Sequence, residues 1–400
     1  MKISRIETLR LQDHPNLLWV RVRTADGLTG LGETYFGTGA VEADIHERIA
    51  PMLLGEDARR IEHLNRTMQP YVGFTGSGAE MRALSALDVA LWDLAAKTAG
   101  LPLCDFLGGR TRAQIPVYNT CAGPNYVSKT SAVRPDNFFT DPNSGAQYND
   151  LDAFLERPEE LAASLMEMGI FSMKIWPLDL AAGAKDGIDI STEDLKKGVA
   201  PFERIRAAHG DKMRLKAELH GLWSLNAATK IALALEPLEM DWIEDPVWMD
   251  RTAEIAALAV ATRAPLAGGE TLASLGQFKV LIDDGNIATP IMDVVWAGGV
   301  TAARKIAALA EARSRPIAFH DCSGPVTLAV STHLALSLRN VGEQEIARGF
   351  YFNWYQDFVD HLPPIDNGMI TVPSGPGLGM DLLPDLFNRA DAMLRISEAD

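Results

Sequence analysis

Three glutamates recur at equal spacing near the middle of this chain of 400 residues. Glu218, Glu244 and Glu270 are 26 residues apart, and each one follows a short apolar run. A strand, a loop and a helix together need that kind of length, so the spacing predicts repeated βα units. In a (β/α) barrel, active sites lie at the carboxyl ends of the strands. The spacing therefore predicts three carboxylates side by side on that face.

Carboxylates grouped in this way form a ligand set for a metal ion. The set offers only oxygen donors, and hard oxygen ligands in octahedral geometry favour Mg²⁺. The alternative interpretation is three solvated surface acids, which is the usual environment of a single glutamate. Three in register at one end of a barrel make a site for one Mg²⁺ the better interpretation.

The period continues through three more residues with chemical potential. Asp293, His320 and Glu345 follow at intervals of 23, 27 and 25 residues. Because histidine titrates near neutrality, His320 at a strand end can abstract a proton, and Asp293 could receive its other N–H and orient the ring. His220 lies two residues after Glu218, on the same side of its strand, and is a candidate general acid.

Composition limits the class of protein. The net charge of −16 argues against nucleic acid or an anionic membrane surface as a partner, although a bound divalent cation can still attract an anionic substrate. No apolar run is long enough to span a bilayer, and the N-terminal residues lack the apolar stretch of a signal peptide. The cysteines are odd in number and lack metal spacing, which is typical of the reducing cytoplasm; they are Cys104, Cys121 and Cys322.

The first 114 residues are interpreted as a separate α+β domain. Their glycine-rich pieces, 37–39 and 71–76, are either surface turns or loops that close over a site. The predicted strands are 3–12, 17–24 and 30–34, with a hairpin turn at 25–27, and the predicted helices are 41–53, 59–68 and 79–99.

The series of βα units begins at residue 115. A polar stretch, 122–154, is too long for an ordinary connection and is either an active-site insertion or a poorly ordered loop. Beyond residue 350 the period is lost, and a terminal helix is expected at 383–396. The predicted division is a domain over 1–114, a barrel over 115–350 and a C-terminal segment over 351–400 that packs elsewhere.

Several motifs together resemble those of the enolase superfamily, in its mandelate racemase-like branch. The motifs are LSALDVALWD at 84–93, GLPLCDFLGG at 100–109, WIEDP at 242–246, GGE at 268–270 and PSGPGLG at 373–379. They occur in order and at the right spacing, and the match runs nearly end to end. The resemblance implies an α/β fold, a modified (β/α)7β TIM-type barrel with an α+β capping domain built from both termini.

The resemblance also implies roles for the candidate residues. In the family, residues matching the three glutamates bind Mg²⁺, which holds the substrate carboxylate, and a dyad like His320–Asp293 abstracts a proton. Glu345, in preference to its neighbour Glu343, matches a position that hydrogen-bonds the same carboxylate. Lys174, on the second strand, matches a lysine that contacts it.

Position 176 bears most on the reaction. Relatives that abstract protons from both faces usually carry Lys-x-Lys on the second strand, but here Trp176 replaces the second lysine, and indole has no basic nitrogen. The set resembles acid-sugar dehydratases of the galactonate dehydratase type, in which a second histidine, here His220, helps the β-hydroxyl leave as water. Such a carbon–oxygen lyase converts an aldonate or aldarate into a 2-keto-3-deoxy acid. Glu218 departs from the pattern, since many relatives have aspartate there.

Three alternatives remain open. Epimerisation (or racemisation) and cycloisomerisation use the same enediolate, and a protein of another class would bind a sugar acid without catalysis. The intact ligands and the complete dyad favour an enzyme. Specificity is expected from capping loops at 14–19 and 35–39 and from the insertion, with Tyr118, Asn119 and Trp176 lining the distal pocket. We expect a small-molecule sugar acid as the substrate, and a homo-oligomer, a dimer or a larger assembly such as an octamer.

Overall fold

The computed structural model describes residues 1–70, 76–126 and 145–399. Two stretches singled out in the sequence, 71–76 and 122–154, therefore lie partly outside the described residues. The described chain forms a four-stranded antiparallel sheet with its helices and, separately, a barrel of parallel strands. Within these residues, no helix is both long and apolar enough to cross a membrane.

The strands of the antiparallel sheet, numbered in chain order through the whole protein, are β1 (Ile3–Leu11), β2 (His14–Thr24), β3 (Thr29–Tyr35) and β14 (Ala392–Glu398). Their order in the sheet is β14-β1-β2-β3. The three strands predicted near the N-terminus are thus confirmed. The loop expected at 14–19 is wrong, because these residues belong to β2, which pairs with both β1 and β3.

The terminal helix predicted at 383–396 is also wrong. A short 3₁₀ helix, Pro384–Asn388, is followed by β14, which pairs antiparallel with β1 from Leu11↔Ala392 to Arg5↔Glu398. The edge of β1 offers a row of unpaired backbone groups, and pairing with them satisfies the backbone of the last residues. This partner is distant in sequence, so local propensity does not reveal it.

The sheet and five of the described helices form one unit, which we call the capping domain. A π-helical segment, Asp44–Ile49, joins the first two of them into one helical stretch, as predicted for 41–53. Gly32 lets β3 lie against the longest helix, because a Cβ there would be 1.9 Å from the carbonyl oxygen of Ala86. The helices are α1 (Thr38–Ala43), α2 (Ala50–Leu53), α3 (Ile61–Met68), α4 (Ala79–Ala99) and α5 (Leu103–Phe106).

Eight strands form the barrel, and each hydrogen-bonded neighbour pair is parallel. An isolated parallel bridge between Ile317 and Val341, which lie just before the last two strands in the chain, closes the ring. The predicted fold class, a TIM-type barrel with a capping domain, is confirmed. The strands are β4 (Ile115–Thr120), β5 (Ser172–Ile175), β6 (Arg214–Glu218), β7 (Trp242–Glu244), β8 (Leu266–Gly268), β9 (Thr289–Met292), β10 (Ala318–Phe319) and β11 (Gln344–Ile346).

Helices connect and surround these strands, and a two-strand extension, β12 (Ile365–Asp366) with β13 (Met369–Ile370), pairs with β4. The helices are α6 (Asp150–Glu156), α7 (Pro158–Glu167), α8 (Thr192–His209), α9 (Leu225–Leu235), α10 (Thr252–Ala261), α11 (Ser274–Asp283), α12 (Val294–Ala297), α13 (Gly299–Ala312), α14 (Pro325–Ser337) and α15 (Arg348–Tyr351).

Buried carboxylates of the capping domain bind the first turns of barrel helices. Glu33, in β3, accepts hydrogen bonds from the backbone N–H (2.9 Å) and hydroxyl (2.8 Å) of Thr327 in α14. Asp88, in α4, accepts one from the N–H of Thr301 in α13 (2.9 Å). Burial raises the pKa of Glu33 to about 7 and that of Asp88 to about 6. These contacts fix the capping domain over the carboxyl ends of β9 and β10, next to those helices.

Candidate active site

The three evenly spaced glutamates meet at the carboxyl ends of neighbouring strands. Glu218 ends β6, Glu244 ends β7 directly beside it in register, and Glu270 follows β8. One carboxylate oxygen from each lies within 4.8 Å of those of the other two. Glu218 and Glu244 are almost completely buried, and Glu270 exposes only 9% of its surface. This burial rules out three solvated surface acids. We call these three glutamates the glutamate cluster.

Lys174, from β5, lies against this cluster. Its Nζ atom is 2.6 Å from Oε1 of Glu244, 3.2 Å from Oε2 of Glu218 and 2.9 Å from Oε1 of Glu345. Burial alone would lower the pKa of Lys174, but these carboxylates outweigh burial and raise it well above its usual value. Burial and the charge of Glu218 raise the pKa of Glu244 to about 8. The lysine is therefore a cation held in an acidic, largely dry environment.

The cluster fits a hard divalent cation. Oε1 of Glu218 accepts hydrogen bonds from the backbone N–H groups of Leu219 (3.0 Å) and His220 (2.8 Å). Oε2 of Glu218 is buried and accepts no hydrogen bond among the described residues, and its ion-pair partner is the Lys174 ammonium at 3.2 Å. Buried carboxylates are costly unless cations offset their charge, and this one ammonium is shared among Glu218, Glu244 and Glu345. The converging carboxylates of the glutamate cluster therefore offer the donor set that Mg²⁺ prefers.

His320 and Asp293 form a buried pair beside the cluster. Nδ1 of His320 is 2.8 Å from Oδ2 of Asp293, and its Nε2 is 3.3 Å from Oε2 of Glu270. The aspartate is itself held by the hydroxyl of Ser323 and the N–H of Val295, each at 2.8 Å. Burial would lower the pKa of His320, but Glu270 and Asp293 raise it well above its usual value. The ring orientation is therefore fixed by a firmly held carboxylate.

A second histidine–aspartate pair lies on the other side of the cluster, beside Glu218. Nδ1 of His220 is 2.5 Å from Oδ2 of Asp179, a fully buried residue that follows β5. His220 has a φ of 47°, a left-handed conformation that non-glycine residues rarely adopt. Burial opposes protonation, but Glu218 and Asp179 raise the pKa of His220 to about 9. No sequence signal indicated Asp179, because its loop has no periodic pattern.

Trp176 forms one wall around His220. Its ring is nearly perpendicular to that of His220, with 5.7 Å between centroids, and it also packs against Phe154 and Tyr126 at 5.2 Å each. The Tyr126 hydroxyl is 3.4 Å from Nε2 of His220. The position of Trp176 therefore carries an aromatic wall and not a second basic side chain.

The two acids near the eighth strand end lie in different surroundings. Glu345 accepts hydrogen bonds from the hydroxyl of Thr120 and, through Oε2, from the N–H of Asp321 (2.8 Å). Although burial acts in the opposite direction, Lys174 lowers the pKa of Glu345. Glu343 instead lies 3.0 Å from Nζ of Lys216, on the amino-terminal side of the barrel. Only Glu345 belongs to the glutamate cluster's neighbourhood.

The structure does not bring Asn119 to this group of residues. Its neighbours in β4, Tyr118 and Thr120, face the barrel interior, so by strand alternation Asn119 faces the helices. There its amide donates to Asp150 (2.9 Å) and accepts from the N–H of Arg348 (2.9 Å). We therefore do not include Asn119 among the proposed substrate-binding residues.

A parallel eight-stranded barrel with a carboxylate cluster and two histidine pairs at its carboxyl ends is the arrangement of a TIM-barrel enzyme. Residues 158–386 match the family model described as Enolase C-terminal domain-like. Residues 8–108 match the mandelate racemase / muconate lactonizing enzyme N-terminal domain. The chain therefore belongs to the enolase superfamily, in its mandelate racemase-like branch.

Similarity to known proteins and to solved structures extends over almost the whole chain. D-galactonate dehydratase from Ralstonia nicotianae is 30% identical over 390 residues, which is 96% of this chain and 92% of that protein. A mandelate racemase subgroup enolase from Agrobacterium tumefaciens is 42% identical, with a TM-score of 0.88 over 100% of this chain and 99% of that one. An enolase protein from Sargasso Sea environmental sequencing is 41% identical, with a TM-score of 0.89 over the same shares.

Proposed function

We propose that this enzyme removes water from a sugar acid, an aldonate or an aldarate, to give a 2-keto-3-deoxy acid. The observation that carries the proposal is the placement of two histidine–aspartate pairs around one glutamate cluster, His320 beside Glu270 and His220 beside Glu218. Dehydration needs a base for the α-proton and an acid for the leaving hydroxyl, and this site offers one histidine for each. The relatives named D-galactonate dehydratase support the same reaction class.

Glu218, Glu244 and Glu270 would hold Mg²⁺. When bound, the ion would supply positive charge against the substrate carboxylate and the enediolate oxygens, and would offset the carboxylates that raise the histidine pKa values. Lys174, whose ammonium lies among these acids, would donate to the substrate carboxylate and restrict its rotation. Glu345 would contact the carboxylate end from the opposite side, as its hydrogen bonds to Thr120 and Asp321 hold it in place.

The protons are moved by the two histidines. His320, with Nδ1–H donated to Asp293, takes the α-proton on Nε2, and the C–H electron pair becomes part of an enediolate. His220, protonated and held by Asp179, donates its proton to the β-hydroxyl as the C–O bond breaks, so that water leaves. The resulting enol then tautomerises to the keto acid. Trp176 has no nitrogen that can accept a proton, so a base at that position is absent.

The test is to incubate the protein and Mg²⁺ with a set of hexonates and hexarates in D₂O. Dehydration is expected to give a keto acid that reacts with semicarbazide. A deuterated epimer without loss of water would instead identify an epimerase, and a lactone isomer a cycloisomerase. Unchanged substrate that still binds would identify a non-catalytic sugar-acid-binding protein. Each of these three results would contradict the dehydratase proposal.

A further inference from the structure

One cation of the capping domain lies beside the proposed base. Arg82 is in the first turn of α4, and its guanidinium is 4.4 Å from the ring centroid of Trp296. The Trp296 ring is in turn 5.2 Å from the ring of His320. Arg82 thus reaches across the boundary between the capping domain and the barrel, on the His320 side of the site.

Neighbouring contacts fix this position. Nε of Arg82 donates to the carbonyl of Ser77 (2.7 Å), and its Nη1 donates to the carbonyl of Tyr35. The Ser77 hydroxyl donates to the carbonyl of Thr271 (2.6 Å), the residue after Glu270. The guanidinium is therefore fixed by the segments around Ser77 and Tyr35. The Ser77 segment is also hydrogen-bonded to the barrel, next to the glutamate cluster.

The residue after Tyr35 adds evidence of a functional constraint. Phe36 has a φ of 66°, and its ring packs against those of Tyr35 (4.7 Å) and Trp296 (5.9 Å). The left-handed region is unfavourable for an aromatic residue, and such conformations cluster at active sites and ligand-binding sites. This conformation lies in the segment whose carbonyl oxygen accepts from Arg82.

No carboxylate within the described residues is close enough to form an ion pair with Arg82. Its Nη2 atom also has no hydrogen-bond acceptor among these residues. Burial lowers the pKa of Arg82 to about 10, with Asp293 acting in the opposite direction. A largely buried guanidinium without an anion is unfavourable, and its planar donor fork matches a carboxylate. The guanidinium is therefore available to an anionic ligand.

We propose that Arg82 binds the second carboxylate of a sugar diacid, so that the substrate is an aldarate and not an aldonate. This inference rests on the proposed function, because the first carboxylate is placed at Lys174 and the glutamate cluster. A diacid would then be held at both ends with its α-carbon near His320. The relatives named D-galactonate dehydratase are named for an aldonate, so Arg82 would set this chain's substrate class apart from theirs.

The test compares hexarates with hexonates of matched configuration. For the wild-type enzyme, kcat/KM is expected to be at least about 10²-fold higher for the hexarate. Arg82→Met is expected to raise KM for the hexarate by about 10²-fold and to change kcat by less than about threefold, so that the preference for the hexarate over the hexonate is lost. Arg82→Lys keeps the charge but loses the paired N–H donors of the guanidinium, so its KM for the hexarate should lie between those of wild type and Arg82→Met. This variant serves as the test if Arg82→Met does not fold.

The control is Arg304→Met, since Arg304 is an exposed arginine over Trp92 (5.2 Å) on the outer surface, and it should behave as wild type. A wild-type preference for hexonates would overturn the diacid inference while the dehydratase proposal stands. Equal losses for both substrates in Arg82→Met would also overturn it. If neither substrate is dehydrated, the function proposal fails, and calorimetry decides the inference: hexarate binding must weaken in Arg82→Met, and equal binding overturns it.

Discussion

Oδ2 of Asp179 lies 2.5 Å from Nδ1 of His220, as Oδ2 of Asp293 lies 2.8 Å from Nδ1 of His320. Both carboxylates are fully buried, and both hold the ring through the same nitrogen. In each ring, Nε2 is then the atom that can exchange a proton with a substrate. The two histidines are thus built alike, although only one of the pairs is visible in the sequence.

Replacement of Asp179 by asparagine is expected to lower kcat by about 10- to 10²-fold with little change in KM, because the carboxylate orients and charges His220 without contacting substrate. Steady-state kinetics on the dehydrated sugar acid measure both constants. Asp189→Asn is the matched control, since Asp189 lies in the same connection but forms exposed ion pairs with Lys230 (2.6 Å) and Lys185 (3.8 Å). Unaltered kcat in Asp179→Asn would show that His220 does not need its partner.

His320→Asn should lower dehydration by at least about 10²-fold, because the amide cannot accept the α-proton. The same variant should lose exchange of the α-proton with D₂O, measured by NMR, while Mg²⁺ affinity measured by calorimetry stays within a few fold. Retained exchange would assign the base to another residue. A parallel loss of Mg²⁺ binding would instead indicate that His320 is needed for the metal site.

The two acids near the eighth strand end should behave differently. Glu345→Gln is expected to lower kcat/KM by about 10²-fold, because Lys174 then loses one of its carboxylate partners and the substrate one of its contacts. Glu343→Gln should keep kcat/KM but lower the free energy of unfolding by about 2 kcal/mol, since it weakens the pairing of buried Lys216. Kinetics and denaturant unfolding separate the two effects; the reverse pattern would contradict the assignment to Glu345.

Removal of divalent metal with EDTA should abolish activity, and Mg²⁺ should restore it. Glu244→Gln should weaken Mg²⁺ binding by at least about tenfold in calorimetry, because it removes one of three charged donors. Glu236→Gln provides the control, because Glu236 lies in the connection between β6 and β7 but pairs with the exposed Arg263. Binding of Mg²⁺ with unchanged affinity by the Glu244 variant would remove this residue from the proposed site.

His333 should make stability depend on pH. It is fully buried in α14, where Nδ1 accepts from the N–H of Cys104 (3.1 Å) and Nε2–H donates to the carbonyl of Leu378 (3.2 Å). Burial lowers the pKa of His333 from 6.5 to about 4, so the folded state excludes a proton that the unfolded state binds. Its contribution to stability is therefore present above pH 6.5 and is lost as the pH falls towards 4.

The expected loss from this one group is about 2 kcal/mol between pH 6.5 and 5. Glu33 and Asp88, whose pKa values are raised, contribute a slope of the opposite sign, so the measurement is the difference between variants. Thermal unfolding of His333→Gln should show a smaller decrease over this range than wild type, and the exposed His361→Gln should match wild type. Identical slopes in all three proteins would contradict the prediction.

The sequence predicts all three members of the glutamate cluster because period and chemistry coincide there. Each glutamate follows a buried strand at a repeat of 26 residues, and a parallel barrel must bring such residues together. The early strands and helices are confirmed for a similar reason, since their patterns are local. Homo-oligomerisation stays a prediction.

What the sequence could not supply depends on contacts between distant segments. Asp179 contacts His220, which is 41 residues away in the chain, and Arg82 of the capping domain contacts Trp296 of the barrel. Neither residue lies in a sequence repeat or has a role in a sequence motif, so neither contact could be predicted. Asn119 was expected at the site because of its position near a strand end, but the register of β4 turns it towards the helices. The helix expected at 383–396 was displaced by pairing with β1.

That pairing of β14 with β1 has a consequence for how the protein acquires its fold. The capping sheet takes its outer strand from residues 392–398, which follow the whole barrel in the chain. During synthesis the first three strands must therefore wait, with one edge of β1 open, until the barrel residues have been made. Closure of so long a loop is entropically slow. We expect truncation before residue 392 to leave an aggregation-prone edge even if the barrel forms normally.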